Sequence, residues 1–124
     1  MHEKTLEINF YRDKSGIYIV KLSGKMDIFT FKLGKDFLSD ISEDLEGINV
    51  VVDLREMKYI ASSGWSILIS RSKTISRAKG KFVLFGMSPE IYRIYKSMKL
   101  KGLVTSFMSE QEALDYCKEV KSDD

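Results

Sequence analysis

The chain has 124 residues, one histidine, one cysteine, and 20 basic against 18 acidic side chains. That length suits one domain with one shared core, and the near balance of charge leaves no electrostatic footprint for nucleic acid. A single cysteine excludes an intrachain disulfide, one Cys with one His cannot build a nitrogen and sulfur metal site, and no apolar run approaches the roughly 18 residues of a membrane span.

The N-terminal Met1-His2-Glu3-Lys4 runs into an alternating strand, not a signal-peptide core, so the expectation is a cytoplasmic protein. Leu6, Ile8 and Phe10 alternate with Glu7, Asn9 and Tyr11, the period of a half-buried strand. Asp13-Lys14-Ser15-Gly16 is a turn, and residues 17–22 form a second strand, paired antiparallel with the first and broken by Gly24. Leu33, Phe37, Leu38, Ile41 and Leu45 then recur at helical spacing and predict an amphipathic helix ended by Gly47. Residues 48–54 are an almost unbroken β-branched run, which suggests a central strand covered on both faces.

Residues 62–78 read as a helix with Trp65, Leu68, Ile69, Ile75 and Ala78 on one side and Arg71, Lys73 and Arg77 on the other. Residues 81–85 are another buried strand. Ser88-Pro89 opens a third helix, with Ser88 as N-cap and Pro89 where no amide donor is needed, and with Ile91, Ile94, Tyr95 and Met98 facing inward. Residues 104–107 form a short edge strand. Ser109 and Glu112 make a capping box for a last helix carrying Ala113, Leu114 and Cys117, and residues 121–124 are expected to fray. The order β-β-α-β-α-β-α-β-α defines an α/β domain with a mixed, mostly parallel sheet of four or five strands, an antiparallel N-terminal hairpin and about four helices. Residues 50–52 and 82–85 are its expected central strands. One domain spans residues 1–124, with its core at about 6–120.

Catalytic chemistry finds little footing. The one histidine, His2, lies at the chain end, no Walker or dinucleotide glycine motif occurs, and Cys117 falls on the inner face of its helix as a packed thiol. Metal, cofactor and catalytic residues are therefore all expected to be absent. One junction stands out: the strand Val50-Val51-Val52-Asp53-Leu54, a short segment to Ile60, then Ala61-Ser62-Ser63-Gly64-Trp65 as a helix begins. The plain reading of two serines there is helix capping. The other is modification, because a helix N-terminus favours negative charge and a phosphate would change the surface by nearly two charges without unfolding the domain.

Leu22-Ser23-Gly24-Lys25-Met26-Asp27, Val51-Val52-Asp53-Leu54 and Tyr59-Ile60-Ala61-Ser62-Ser63-Gly64, followed by the 81–86 strand, Met87-Ser88-Pro89, Gly102-Leu103 and Glu112-Ala113-Leu114, resemble the STAS domain family of bacterial anti-sigma-factor antagonists. The resemblance runs over about residues 6–120. It implies a STAS-like fold and a regulatory domain that catalyses nothing. Such a domain binds an anti-sigma factor that is also a serine kinase, and binding frees a sigma factor. Phosphorylation of the serine after the motif aspartate releases the domain, and a phosphatase resets it. By position that serine is Ser62, with Ser63 as a second acceptor. The partner surface would comprise Asp27, Ala61, Ser62, Ser63 and Gly64.

Ala61 stands where the family has its aspartate, so slower phosphorylation of Ser62, use of Ser63 and constitutive binding all stay open. Asp27 reads equally as a helix cap, and Gly64 either permits close helix packing or leaves room for a partner's backbone. The alternative function is a STAS module of a signalling complex that binds a protein, a nucleotide or another small ligand with no phosphoswitch.

Overall fold

Valine and leucine side chains on both faces of one strand force layers onto both sides of the sheet, and that strand lies at its centre. The computed structural model describes residues 6–42 and 46–119, with side chains at 41 and 42 excepted. Strands β1 (Leu6–Arg12), β2 (Tyr18–Met26), β3 (Asn49–Ile60), β4 (Lys81–Phe85) and β5 (Thr105–Phe107) form one sheet in sequential order. β1 and β2 pair antiparallel, and every other pair is parallel. The expected mixed α/β sheet is thus present. β3 is its middle strand and β4 is also interior, because the short β5 forms the edge.

Helices α1 (Phe31–Ser42), α2 (Ser62–Arg77) and α3 (Pro89–Ser97) link successive parallel strands, and α4 (Glu110–Lys118) follows β5. The linking helices all pack on one face, as three consecutive crossovers of one hand require. Leu38, Trp65, Ile67, Leu68, Ile75, Ile91 and Tyr95 meet Val20, Leu22, Val50, Val52 and Leu54 there. Each such fully buried aliphatic side chain stabilises by about 1.5–3 kcal/mol. The second face is covered only in part: Ala113 and Cys117 of α4 pack on Val51, Val83 and Phe85. Beside them the face is polar, with Glu7, Asn9, Lys21, Ser23, Glu56 and Lys58 around a shallow depression. No helix of the described residues is long and apolar enough to cross a membrane.

Several boundaries move. Gly24 does not end β2. It adopts φ +102° inside the strand, where the pairing with β3 shifts register, and the strand runs on to Met26. A left-handed φ at a bulge suits glycine, so the break signal marks an irregularity instead of a stop. β3 likewise continues six residues past Leu54 to Ile60, because Met57 and Ile60 re-enter the main core after the bulge. Leu33 is exposed, and Phe37 and Leu38 carry the inner face of α1, while Ile41's side chain and Leu45 lie outside the described residues. In α3 only Ile91 and Tyr95 are buried; Ile94 and the C-cap residue Met98 are exposed, so the helix presents only a narrow stripe to the core. In α2, Ile67 joins the core, Ile69 is only partly buried, and Ala78 is the C-cap. Ser88 caps α3 and the Ser109–Glu112 box closes on α4 as the residue types predict. Residues 121–124 and His2 lie outside the described residues.

Candidate functional site

β2 and β3 end side by side. Met26 pairs with Ile60, and the Ala61 N–H donates to the Met26 carbonyl at 2.8 Å. The chain then leaves the sheet in two ways, through a turn at residues 27–30 into α1 and directly from Ala61 into α2. Asp27 and the Ala61–Gly64 segment are thereby brought together on the rim at the carboxyl ends of parallel strands, where such sheets present ligands and partners.

Asp27 is committed to its own turn. Its Oδ1 accepts the backbone N–H of Phe29 at 2.9 Å and of Thr30 at 3.2 Å, while its own N–H donates to Thr30 Oγ1 at 2.9 Å. This reciprocal pair resembles a capping box and holds the chain that enters α1. Asp27 therefore caps this turn and is not the N-cap of a helix, because α1 begins only at Phe31. The same turn pushes Ile28 and Phe29 outward, with 68 % and 85 % of their surface exposed. Sequence reasoning passed over both residues. The signal was available as two large apolar side chains between Asp27 and Thr30, both turn formers, where neither a strand face nor a helix face can bury them.

The serines do not cap α2. Its N-cap is Ala61, whose side chain makes no cap hydrogen bond, and Ser62 and Ser63 already belong to the first turn. The capping explanation of the Ser-Ser pair is thus corrected: serine is one residue late on the chain to accept from the free amides. Ser62 is exposed, and its carbonyl accepts from Ser66 Oγ at 3.0 Å. The Ser63 hydroxyl is buried and lacks a hydrogen-bond partner. The two acceptor candidates therefore differ sharply in access.

Gly64 is buried, and a Cβ on it would stand 2.9 Å from Ile60 Cγ2 and from Met26 Cγ and Sδ. Its absent side chain lets α2 sit directly on the ends of β2 and β3, which is the packing alternative for this residue. Ala61→Asp supplies the missing cap acceptor and places a negative charge at the positive end of α2. It is expected to stabilise the domain by about 1 kcal/mol. A thermal melt with no gain would mean that the carboxylate does not reach the free amides.

Asp53 is the one buried charged residue among those described, at 3 % exposure. Arg55 meets it side on, Nε to Oδ1 at 3.1 Å and Nη2 to Oδ2 at 2.9 Å, and adds its backbone N–H to Oδ1 at 2.9 Å. The guanidinium also lies 5.2 Å from the centre of the Phe85 ring. Burial pushes the Asp53 carboxyl up, but the hydrogen bonds and charge of Arg55 outweigh it and leave the pKa below the ordinary carboxylate value. A depressed pKa contributes stability above the unfolded-state value, and that stability is lost as pH falls through the folded one. Asp53→Asn is therefore expected to cost about 1.5–3 kcal/mol at neutral pH and to flatten the loss of stability below about pH 4. Urea titrations at several pH values test this; parallel curves for the two proteins would refute it. Cys117 is buried on the inner face of α4, and burial raises its thiol to about 11, which leaves it unreactive at neutral pH. Among the described residues no group of three His, Cys, Asp or Glu could hold a metal ion.

Fold and site together define a small α/β domain whose exposed apolar turn and helix-start serine share one rim of a mostly parallel sheet. The family model of the STAS domain matches residues 11–113, and the chain belongs to that family. A relative from Listeria monocytogenes, named anti-sigma-B factor antagonist, is 26 % identical over 83 residues, which are 67 % of this chain and 72 % of the relative. The crystal structure of an anti-sigma factor antagonist from Mycobacterium paratuberculosis superposes with a TM-score of 0.81 at 19 % identity, covering 92 % of this chain and 95 % of that one. SpoIIAA in its unphosphorylated form gives 0.75 at 15 % identity, covering 94 % of this chain and 100 % of that one. Bacillus SpoIIAA in its phosphorylated form gives 0.65 at 15 % identity, covering 89 % and 98 %.

Proposed function

We propose that this chain is an anti-sigma-factor antagonist, a binding protein that takes up an anti-sigma factor and so frees a sigma factor. The single observation that carries the reading is the rim itself: an exposed serine on the first turn of α2, beside a turn that holds Ile28 and Phe29 in solvent. Exposed aromatic and aliphatic side chains in a small cluster are what a protein interface uses as anchors. The name of the Listeria relative supports the same assignment.

In this reading the partner is also a serine kinase, and it modifies Ser62. Access favours Ser62 over Ser63, whose hydroxyl is buried. Phosphate on Ser62 sits near the free amides and positive end of α2, so the helix tolerates it while the interface acquires an unmatched charge. A phosphatase restores the binding form. The domain is the substrate and ligand of these enzymes and catalyses nothing itself, and its setting is the bacterial cytoplasm, where sigma factors act. Asp27 contributes by fixing the turn that displays Ile28 and Phe29, and Gly64 by seating α2 against it.

A second reading, a STAS module of a signalling complex with no phosphoswitch, is favoured by Ala61, which offers no carboxylate to orient the Ser62 hydroxyl. Kinase assays separate the two. With the purified partner kinase, phosphopeptide mapping is expected to find the label on Ser62, and Ala61→Asp is expected to accelerate its transfer. No label on the wild-type chain would select the second reading; equal rates would show that the aspartate position is immaterial here.

A further inference from the structure

α1 and α2 lie side by side on the sheet, and between their outer surfaces runs a cleft of about 300 Å³. Phe31 of α1 and Ile67 of α2 give it an apolar lining, and Lys35 and Arg71 bring one cation from each helix. Its remaining lining is serine, with no acidic residue. Neither cation belongs to an ion pair among the described residues, and Arg71 makes only a long contact, Nη2 to Ser70 Oγ at 3.4 Å. Ser63, whose buried hydroxyl has no partner, lines the same cleft. Ser62 itself does not line it, so the cleft adjoins the acceptor serine without including it.

Two unneutralised cations across an apolar cleft repel each other and attract one anion that touches both. A guanidinium presents a planar fork that matches a carboxylate or phosphate, and an ammonium adds a point charge. The volume lies at the lower limit for small-molecule sites, about 300–1,000 Å³, so the occupant is compact. We infer that the α1–α2 cleft binds a small amphiphilic anion, a carboxylate or phosphate monoester bearing a short aliphatic chain or single ring, with its head on Lys35 and Arg71 and its apolar part on Phe31 and Ile67.

Titration of the full chain with hexyl phosphate, followed by amide NMR shifts and calorimetry, tests this without any protein partner. Saturable shifts are expected around residues 31–35 and 63–71. Inorganic phosphate and 1-hexanol are each expected to bind at least about tenfold more weakly, because each keeps only one half of the contacts. Lys35→Ala and Arg71→Ala, both at the surface, are each expected to weaken hexyl phosphate about tenfold, the size of one charge-assisted hydrogen bond. The inference is overturned if shifts do not saturate, if inorganic phosphate binds as well as its hexyl ester, or if the double variant binds like wild type. Co-sedimentation with phosphatidylglycerol vesicles, without a response to soluble hexyl phosphate, would also overturn it and reassign the cations to a lipid surface. Any of these failures leaves the anti-sigma assignment standing, since that one is read from binding to a protein.

Discussion

Ser62→Asp is expected to weaken binding to the anti-sigma partner by at least tenfold, while Ser62→Ala binds like the wild type. Ser62 is exposed on the rim that also carries Ile28 and Phe29, so a partner that covers those apolar side chains covers the serine too. A neutral hydroxyl crosses into such an interface at little cost. A new charge must be matched or stripped of water, and left unmatched it costs several kcal/mol after relaxation, which is about a thousandfold in affinity for full phosphate. Aspartate carries about half that charge and fewer acceptor oxygens, so it recovers only part of the effect. The positive end of α2 offsets some of the cost within the domain, which is why the fold itself is expected to persist. Calorimetry with the purified partner and the three proteins is the measurement, with circular dichroism as the folding control. Aspartate binding as tightly as alanine would sink the phosphoswitch and favour the constitutive module.

Gly80→Ala is expected to destabilise the domain strongly. A Cβ at this position would stand 1.9 Å from the carbonyl oxygen of Ile48, an atom of the backbone that cannot rotate away. The surroundings are held by hydrogen bonds: Gly80 N–H to the Ile75 carbonyl at 2.8 Å and Lys81 N–H to the same Ile48 carbonyl at 3.2 Å. Relief requires the end of α2 and the start of β4 to separate from the entry to β3, at the place where two interior strands begin to pair through Asn49 and Lys81. Overpacking against side chains typically costs 1–3 kcal/mol, and a backbone wall raises this to about 3 kcal/mol or more. For 124 residues that is a fall in melting temperature of about 10 °C or more. Gly64→Ala is a milder comparison, because its Cβ meets side chains of Ile60 and Met26 and no backbone atom, and alanine regains about 1 kcal/mol of helix propensity. Equal melting temperatures for Gly80→Ala and the wild type would show that the loop shifts freely.

Element type and order were legible because each rests on short-range chemistry. The β-branched run at Val50–Val52, the capping pair Ser109 and Glu112, and Ser88 before Pro89 say the same thing locally and in the fold. The resemblance likewise located Asp27 and Ala61–Gly64 from residue identity and spacing, and the parallel pairing of β2 with β3 does place them on one rim. What a linear pattern could not weigh was whether a helix face is covered. Ile94 and Met98 share the spacing of Ile91 and Tyr95 yet stay in solvent, because only tertiary placement sets the width of a buried stripe. The same holds at the site. Ser62 and Ser63 are adjacent and chemically identical, and only the rotation of α2 against the sheet exposes one and buries the hydroxyl of the other. Lys35 and Arg71 are 36 positions apart and meet across one cleft only once two crossover helices lie on the same face. Identity along the chain determined the fold class and the candidate residues; the packing of helix on sheet decided which of them a partner can touch.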